Sequence, residues 1–371
     1  MAKSNLHALS AKGQSVWIDS LSRHMLESGS LKKLMKDDAV VGVTTNPTIF
    51  QKAISQGDDY DAQLKELLET ESDPKEIFLQ LSARDVDAAL DVFAAVHEKK
   101  PRDGFVSWEV DPTLAYDSEG TFDEAMRLFA WIPKPNLYVK IPATKPGLGA
   151  IEECVAHGKN INVTLIFSLE RYREVVEAYL RGLERLVAHG GDPKSVHSVA
   201  SFFVSRVDSE ADKRLEAIGS KDALALRGKL AIANAKLAYE HYERSFSGPR
   251  WAFLAGKGAN VQRPLWASTS TKNPEYRDVM YVEELIGPNT VNTMPEETIR
   301  AFQDHGEVHG ATVIKGVGKA RALLEKLAAV GVDYDDVTET LELEGVQKFA
   351  DSFEELLDGV RSKRGQLVES A

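Results

Sequence analysis

Along the chain, short runs in which most residues are apolar or β-branched alternate with longer stretches where apolar residues recur every three to four positions. The short runs are Val16–Leu21, Val40–Thr45, Gly104–Val110, Leu137–Ile141, Asn162–Phe167, Val196–Val204, Pro264–Ser268 and Asn289–Thr293. Their length and composition predict strands. Between them, Lys75–Lys99 sets Ile77, Leu81, Leu90, Phe93 and Ala94 close to a 3.6-residue period, the mark of an amphipathic helix. Leu169–Ala188 reads the same way, and Ala223–Ser245 is rich in the strong helix formers Ala, Leu, Lys and Glu. Strands alternating with helices imply parallel strands joined by crossovers. The expected class is therefore α/β, a closed (β/α)8 TIM barrel with extra N-terminal and C-terminal helices; an open doubly wound sheet is the alternative.

Beyond Pro295 the chain carries only helical signals. Val346, Phe349, Phe353, Leu356 and Leu357 lie at helical spacing, so this segment is expected to pack on the barrel. No repeat or low-complexity linker divides the sequence. Residues 1–371 are read as one barrel domain: strands and site over about 16–293, a helical extension over about 295–360, and a frayed tail from about Ser362. Lys315-Gly-Val-Gly-Lys319 lacks the spacing and Ser/Thr of a P-loop and reads as a loop into the helix Ala320–Ala329.

Composition narrows the partners. With 45 Lys+Arg against 57 Asp+Glu, the formal charge is −12, which argues against a broad nucleic-acid or anionic-membrane surface but leaves room for a local cationic pocket. No run approaches the roughly 20 apolar residues of a membrane span, and the polar start of the chain lacks the apolar core of a signal peptide, so a cytoplasmic protein is expected. The lone Cys154 excludes an internal disulfide and reads as a small buried hydrophobe within a helix about Ile151–His157.

The informative residues are polar ones where strands should be apolar. Barrel enzymes gather reactive groups at the C-terminal ends of several strands. Asp19, Asn46, Glu109, Lys140, Thr164, Ser201 and Ser268 each sit at or near such an end. Two-residue alternation puts Ser107 with Glu109, and Asn162 with Thr164, on one face of their strands. If chain order is barrel order, an acid, an amine and a hydroxyl from three adjacent strands converge in one mouth. A free lysine has a pKa near 10.4, so only about one in 2,500 is neutral at pH 7. Burial disfavours the ammonium, and a neutral amine can attack a ketone to form an iminium, an electron sink for breaking the neighbouring C–C bond. Carboxylates and a held water would carry the protons.

Two segments then resemble the signatures of the transaldolases: Gly42-Val-Thr-Thr-Asn-Pro-Thr-Ile-Phe50 and Leu137-Tyr-Val-Lys-Ile-Pro-Ala-Thr-Lys-Pro-Gly-Leu148. The resemblance extends through Ser107-Trp-Glu-Val-Asp111, Asn162-Val-Thr-Leu-Ile-Phe-Ser168 and Ser201-Phe-Phe-Val-Ser-Arg206. It implies a Schiff-base enzyme without cofactor or metal. Such an enzyme moves a dihydroxyacetone unit from sedoheptulose 7-phosphate or fructose 6-phosphate to glyceraldehyde 3-phosphate or erythrose 4-phosphate, in the non-oxidative pentose phosphate pathway. It further implies that Lys140 forms the iminium, Asp19 is the acid/base, and Glu109 and Thr164 hold the proton-carrying water. Thr45, Asn46, Asn162 and Ser201 would meet the dihydroxyacetone unit, and Arg206 and Ser268 the phosphate. Where better-known members have an arginine two residues after that serine, this chain reads Ser268-Thr-Ser-Thr-Lys272. Lys272, placed at the start of a helix opened by Asn273 and Pro274, is the expected substitute, with Arg277 as the alternative. Expected partners are sugar phosphates, with the chain a monomer or homodimer.

Rival readings remain. A lyase of the same fold would carry a tyrosine where this chain has Phe203. A metal-dependent aldolase would need ligands, and the only tight histidine pair, His305-Gly-Glu-Val-His309, lies beyond the strands. A non-catalytic barrel would not need the polar strand ends. Arg206 itself could be a surface ion pair with Asp208 or Glu210.

Overall fold

The computed structural model describes residues 4–369 of the chain. Eight parallel strands close a barrel in chain order: β1 (Gln14–Ile18), β2 (Val40–Val43), β3 (Phe105–Glu109), β4 (Leu137–Pro142), β5 (Ile161–Ile166), β6 (Ser198–Phe203), β7 (Gln262–Ala267) and β8 (Thr290–Met294). All eight expected strands are present and the open sheet is excluded. Every strand residue except Val41 is buried, as parallel strands covered by helices outside and packed side chains inside require.

Register aligns the inward faces. Glu109 pairs with Lys140, Lys140 with Asn162, Pro142 with Thr164, and Trp17 with Thr293; partnered residues point to one side of a sheet. Below the mouth the interior is aromatic. Phe105 stacks on Tyr138 with centroids 4.1 Å apart, and Trp17 lies 6.0 Å from Tyr138. Gly42 faces this layer, and a Cβ there would come within 2.5 Å of the Trp17 indole. A glycine in that strand makes room for the indole.

Helices cover the barrel. Pro74–Lys99 starts on Asp73, whose carboxylate accepts the Lys75 amide, with proline in its first turn. Leu169–Ala188 is capped by Ser168 through the Arg171 amide. The expected helix Ala223–Ser245 is instead two, Lys221–Leu224 and Leu230–Ser245. Gly228 lies between them at φ 67°, its amide taken by Asp212 at 2.8 Å and the Tyr276 ring filling the space of a Cβ. A left-handed residue ends a helix whatever its neighbours prefer.

The helix Glu296–His305 and the helix Val317–Ala329 follow the last strand, and the final helix, Tyr334–Glu369, runs past Ser362. Its stripe of Val346, Phe349, Phe353, Leu356, Leu357 and Val360 is buried, as its period foretold. Phe353 meets Phe78, which meets Phe50, at 5.8 and 5.7 Å, and Thr48 donates to Ser352 at 2.8 Å. At the helix start, the Tyr334 hydroxyl accepts the Leu169 amide and donates to Asn234, whose amide reaches the Phe167 carbonyl at 2.7 Å. The last helix is thereby tied to the segments that follow β2 and β5. Among the described residues no helix is long and apolar enough to cross a membrane.

Candidate active site

The C-terminal ends of the strands surround a cavity of about 290 Å³. Asp19, Thr45, Asn46, Lys140, Thr164, Ser201, Arg206, Ser268 and Lys272 line it, all of them expected from the sequence. Glu109 and Asn162, also expected, do not line it; buried at 9% and 0% exposure, they lie behind it, bonded to the lining residues Lys140 and Ser201.

Lys140 projects from β4 into this space, and its Nζ donates to Glu109 Oε2 at 3.1 Å and to the Thr45 carbonyl at 3.0 Å. The Phe349 ring of the final helix closes over the amine, its centroid 5.2 Å from Nζ. The turn after β4 is tightly built: the Gly147 amide donates to Thr144 Oγ1 at 3.0 Å, and a Cβ on Gly147 would meet the Pro142 carbonyl at 2.3 Å. Burial pushes the Glu109 carboxyl above its ordinary range, and the Lys140 charge and hydrogen bond pull it back. Its second oxygen, Oε1, and the Thr164 hydroxyl are buried without a hydrogen-bond partner among the described residues. Two such atoms behind a buried amine are a departure from the rule that buried polar groups are paired.

One layer down, the Asn162 amide donates to Ser107 Oγ at 2.9 Å and accepts from Ser201 Oγ at 2.7 Å. This chain braces β3, β5 and β6 against one another. Leu165 takes φ 59°, and the β5–β6 register shifts there, which re-aims the strand just after Thr164. Thr45 donates its hydroxyl to the Ser107 carbonyl at 2.8 Å, so that group braces β2 against β3. Asn46 caps the helix Pro47–Gln56, its Oδ1 accepting the Ile49 amide at 3.1 Å.

Asp19 lies just past β1, its amide still donating to the Met294 carbonyl at 3.0 Å. Its carboxyl is pushed up to about 6, first by burial and then by Glu297; Lys272 and Lys140 oppose the rise. A carboxyl titrating there can both accept and return a proton near neutrality.

Across the cavity, Arg206 stands over the Phe203 ring at 5.2 Å. The alternative of a surface ion pair fails: Asp208 is held by the Tyr281 hydroxyl and the Ala231 amide, and Glu210 by Arg214. Arg206 makes no ion pair among the described residues, and burial alone lowers its pKa. Ser268 sits at φ 57° with its hydroxyl 2.8 Å from that of Ser205. A non-glycine residue held in that region costs on the order of 1 kcal/mol, and such strain clusters at working sites.

Lys272 reaches the cavity, yet not from a helix. Asn273 accepts the Glu275 amide at 2.9 Å in an Asx turn, and the next helix is Met280–Glu284. The side chain of Asn273 satisfies the turn, so Asn-Pro opens no helix there, and the anion-binding helix end expected for Lys272 is absent. Lys272 instead donates to Ser270 Oγ at 2.8 Å. Arg277 is held by Glu283 and the His305 carbonyl, away from the cavity.

Five polar lining residues carried no recognised signal: Thr44 and Thr293, whose hydroxyls lie 2.9 Å apart, and Ser270, Glu297 and Lys348. Lys348 comes from the final helix, next to Phe349, at a position no strand-end search could reach. His305 and His309 are exposed and paired with Asp278, Asp304 and Glu307. Among the described residues no three His, Cys, Asp or Glu side chains come together as metal ligands. Cys154 is buried, and burial pushes its thiol up to about 12, so it is packing, not a nucleophile.

The sequence pattern described as Transaldolase/Fructose-6-phosphate aldolase matches residues 16–360. The chain is 54% identical over 356 residues to "Transaldolase 1" of Streptomyces coelicolor, covering 96% of this chain and 93% of that protein. It is 52% identical over 360 residues to "Transaldolase" of Mycolicibacterium smegmatis, covering 97% of each chain. A "Transaldolase" of Frankia alni is 52% identical over 362 residues, 97% of this chain and 98% of its own. On the barrel, the two signatures and these likenesses together, the chain belongs to the transaldolase/fructose-6-phosphate aldolase family.

Proposed function

We propose that the chain is a transaldolase that carries a dihydroxyacetone unit on Lys140, from a ketose phosphate to an aldose phosphate. The observation that carries the reading is the buried amine itself, 3.1 Å from Glu109 at the foot of a mouth whose far wall is Arg206.

In the proposed reaction, Glu109 Oε2 takes a proton from Nζ, which its raised affinity for protons favours. The neutral amine attacks the ketone carbon of the donor, and water leaves as the carbinolamine becomes an iminium. A water held by Glu109 Oε1 and Thr164 Oγ1, the two unpartnered atoms, relays the protons of that exchange. Asp19 removes the hydroxyl proton next to the scissile C–C bond. The bond breaks, an aldose phosphate departs, and the electron pair rests as an enamine on Lys140. The acceptor aldehyde is attacked by that enamine and takes the proton back from Asp19; hydrolysis then frees the new ketose. Asn46, Asn162 and Ser201 hold the three-carbon unit, and Thr45 positions the lysine through its carbonyl.

Arg206 grips the phosphate with its planar fork, and Ser268 adds a hydroxyl. Lys272 and Lys348 supply point charges from two other segments, in place of the second arginine of better-known members. All these groups come from one chain, so a monomer or a homodimer would serve equally. Simple cleavage to dihydroxyacetone is the weaker reading: Phe203 lines the cavity where the lyases present a tyrosine hydroxyl, and a phenyl ring holds no water.

The test is borohydride reduction in the presence of fructose 6-phosphate, followed by peptide mass mapping. The expected product is a single reduced dihydroxyacetone adduct on Lys140. An adduct elsewhere, or none with active protein, refutes the reading.

A further inference from the structure

Lys272 borders two spaces at once. It lines the mouth that holds Lys140, and it also lines a crevice of about 210 Å³ between the helix Ser205–Ile218 and the segment following β7. The crevice carries three carboxylates, Asp208, Asp212 and Glu216. A lysine is a point charge on a flexible four-carbon stem, so carboxylates in one space compete with a phosphate in the other for the same cation. Even so, Lys272 makes no ion pair among the described residues; its Nζ donates to Ser270 Oγ at 2.8 Å.

The hydrogen bonds of the carboxylates explain why. Asp208 Oδ1 accepts the Ala231 amide and its Oδ2 the Tyr281 hydroxyl, both at 2.8 Å. Asp212 repeats the arrangement one turn along the helix: Oδ1 accepts the Gly228 amide at 2.8 Å and Oδ2 the Tyr276 hydroxyl at 2.6 Å. All four oxygens are engaged by neutral donors, on residues 2% and 7% exposed. Glu216 is taken by Arg227 at 2.7 Å, and Lys213, the other cation of the crevice, by Glu210. Burial and the bond to Asp212 raise the Tyr276 hydroxyl above its ordinary range, so it remains a donor. A lysine–carboxylate pair across the crevice would satisfy Asp212 as well as a tyrosine does, but it would neutralise Lys272.

We propose that Tyr276 and Tyr281 keep Lys272 free for the substrate phosphate, by occupying carboxylate oxygens that would otherwise draw it into the crevice. They are positioning residues and touch no substrate, and the inference rests on the transaldolase reading with Lys272 at the phosphate. Tyr276 has the larger part, because it lies four residues from Lys272 on the same loop and Asp212 is the more open of the two buried carboxylates.

The test is steady-state transfer from saturating sedoheptulose 7-phosphate, with glyceraldehyde 3-phosphate or glyceraldehyde as acceptor. Tyr276→Phe removes one hydroxyl from a half-buried ring, keeps the packing on Gly228 and frees Asp212 Oδ2. KM for glyceraldehyde 3-phosphate should rise about 3–10-fold, as Lys272 stays available about a third to a tenth of the time; that for glyceraldehyde should not rise. Asp212→Asn, added to Tyr276→Phe, removes the competing charge and still accepts the Gly228 amide, so KM should return to within about twofold of the parent's. In a Lys272→Met background, Tyr276→Phe should have no further effect on KM. No rise with Tyr276→Phe, a double variant no better than Tyr276→Phe, or the same rise in the Lys272→Met background overturns the inference. A parent protein without a borohydride adduct on Lys140 sinks the transaldolase reading itself, whereas an adduct together with any of those three results overturns this inference alone.

Discussion

Asp19 offers a prediction in which function and stability move in opposite directions. Its carboxyl is pushed from 3.8 to about 6, so the folded protein holds that proton more tightly than the unfolded chain does. For a raised acid, stability is fully present below pH 3.8 and is lost as pH rises through about 6. Each pKa unit is worth 1.36 kcal/mol, so a shift of about 2 units costs the folded state about 3 kcal/mol at pH 7.5. The side chain is partly open to solvent, and screening reduces the figure to roughly 2 kcal/mol.

Asp19→Asn keeps the shape and removes the ionisation. The variant should therefore be more stable than the parent at pH 7.5, by roughly 2 kcal/mol, with the advantage shrinking toward zero near pH 3.8. Urea midpoints followed by tryptophan fluorescence at a series of pH values would measure this, with unchanged slopes marking an unchanged unfolding transition. The same substitution should lower transfer about 10²–10⁴-fold, the usual range for a lost acid/base, while borohydride still labels Lys140 with a ketose. In the parent, kcat/KM should fall below pH about 6, as Asp19 becomes protonated and can no longer accept the hydroxyl proton. A variant no more stable at pH 7.5, or a stability difference independent of pH, would refute the assignment of this carboxyl as a strained base.

Other expected outcomes follow the same geometry. Thr164→Val removes a buried hydroxyl that has no partner among the described residues, so it should leave stability from urea unfolding within about 0.5 kcal/mol of the parent, or raise it, while slowing imine formation in pre-steady-state kinetics at least tenfold. Lys348→Met should raise KM for phosphorylated donors about 10–100-fold, the worth of one charge-assisted contact; at saturating donor, KM for the acceptor glyceraldehyde 3-phosphate should rise and that for non-phosphorylated glyceraldehyde should not. Gly42→Ala should destabilise by about 1–3 kcal/mol, because the added methyl would sit 2.5 Å from the Trp17 ring; a thermal melt equal to the parent's would contradict that packing.

The barrel was legible because its strands are buried on both faces and so read as nearly continuous apolar runs. Against that background a polar residue stands out, which makes Lys140, Glu109 and Thr164 legible in the sequence. Register then did what alternation predicted, pairing Glu109 with Lys140 and Pro142 with Thr164 on adjacent strands. Helical segments were less readable where a single residue overrides the average. Gly228 divides a stretch whose composition is uniformly helical, and its reason is tertiary: Asp212 takes its amide and Tyr276 its side-chain space. Asn273-Pro274 has the letters of a helix start, yet the asparagine spends its oxygen on a turn. Lys348 was invisible for another reason. The period of the last helix marks Phe349 and Phe353 as buried, but no pattern within a helix says which part of the barrel lies beneath it.

That last helix changes what the catalytic unit consists of. Strands and loops up to Thr293 carry Lys140, Asp19, Glu109 and Arg206. The helix Tyr334–Glu369 brings Phe349 to 5.2 Å from the amine and Lys348 to the cavity wall, so one turn of helix both covers the Lys140 amine and, in the proposed reaction, adds charge for the phosphate. In the proposed reaction that cover matters, because the Glu109–Lys140 exchange and the pull of Arg206 on a phosphate would both strengthen as the local dielectric falls. The Phe50–Phe78–Phe353 contacts hold that turn in place from the side of β2, and the Tyr334–Asn234–Phe167 chain holds the start of the helix from the side of β5. The helix is thus anchored at two points around the mouth, and the spacing between those anchors sets where Lys348 stands relative to Arg206. On the proposed mechanism, shifting either anchor in a chain that keeps all eight strands should preserve borohydride labelling of Lys140 and raise KM for the sugar phosphates.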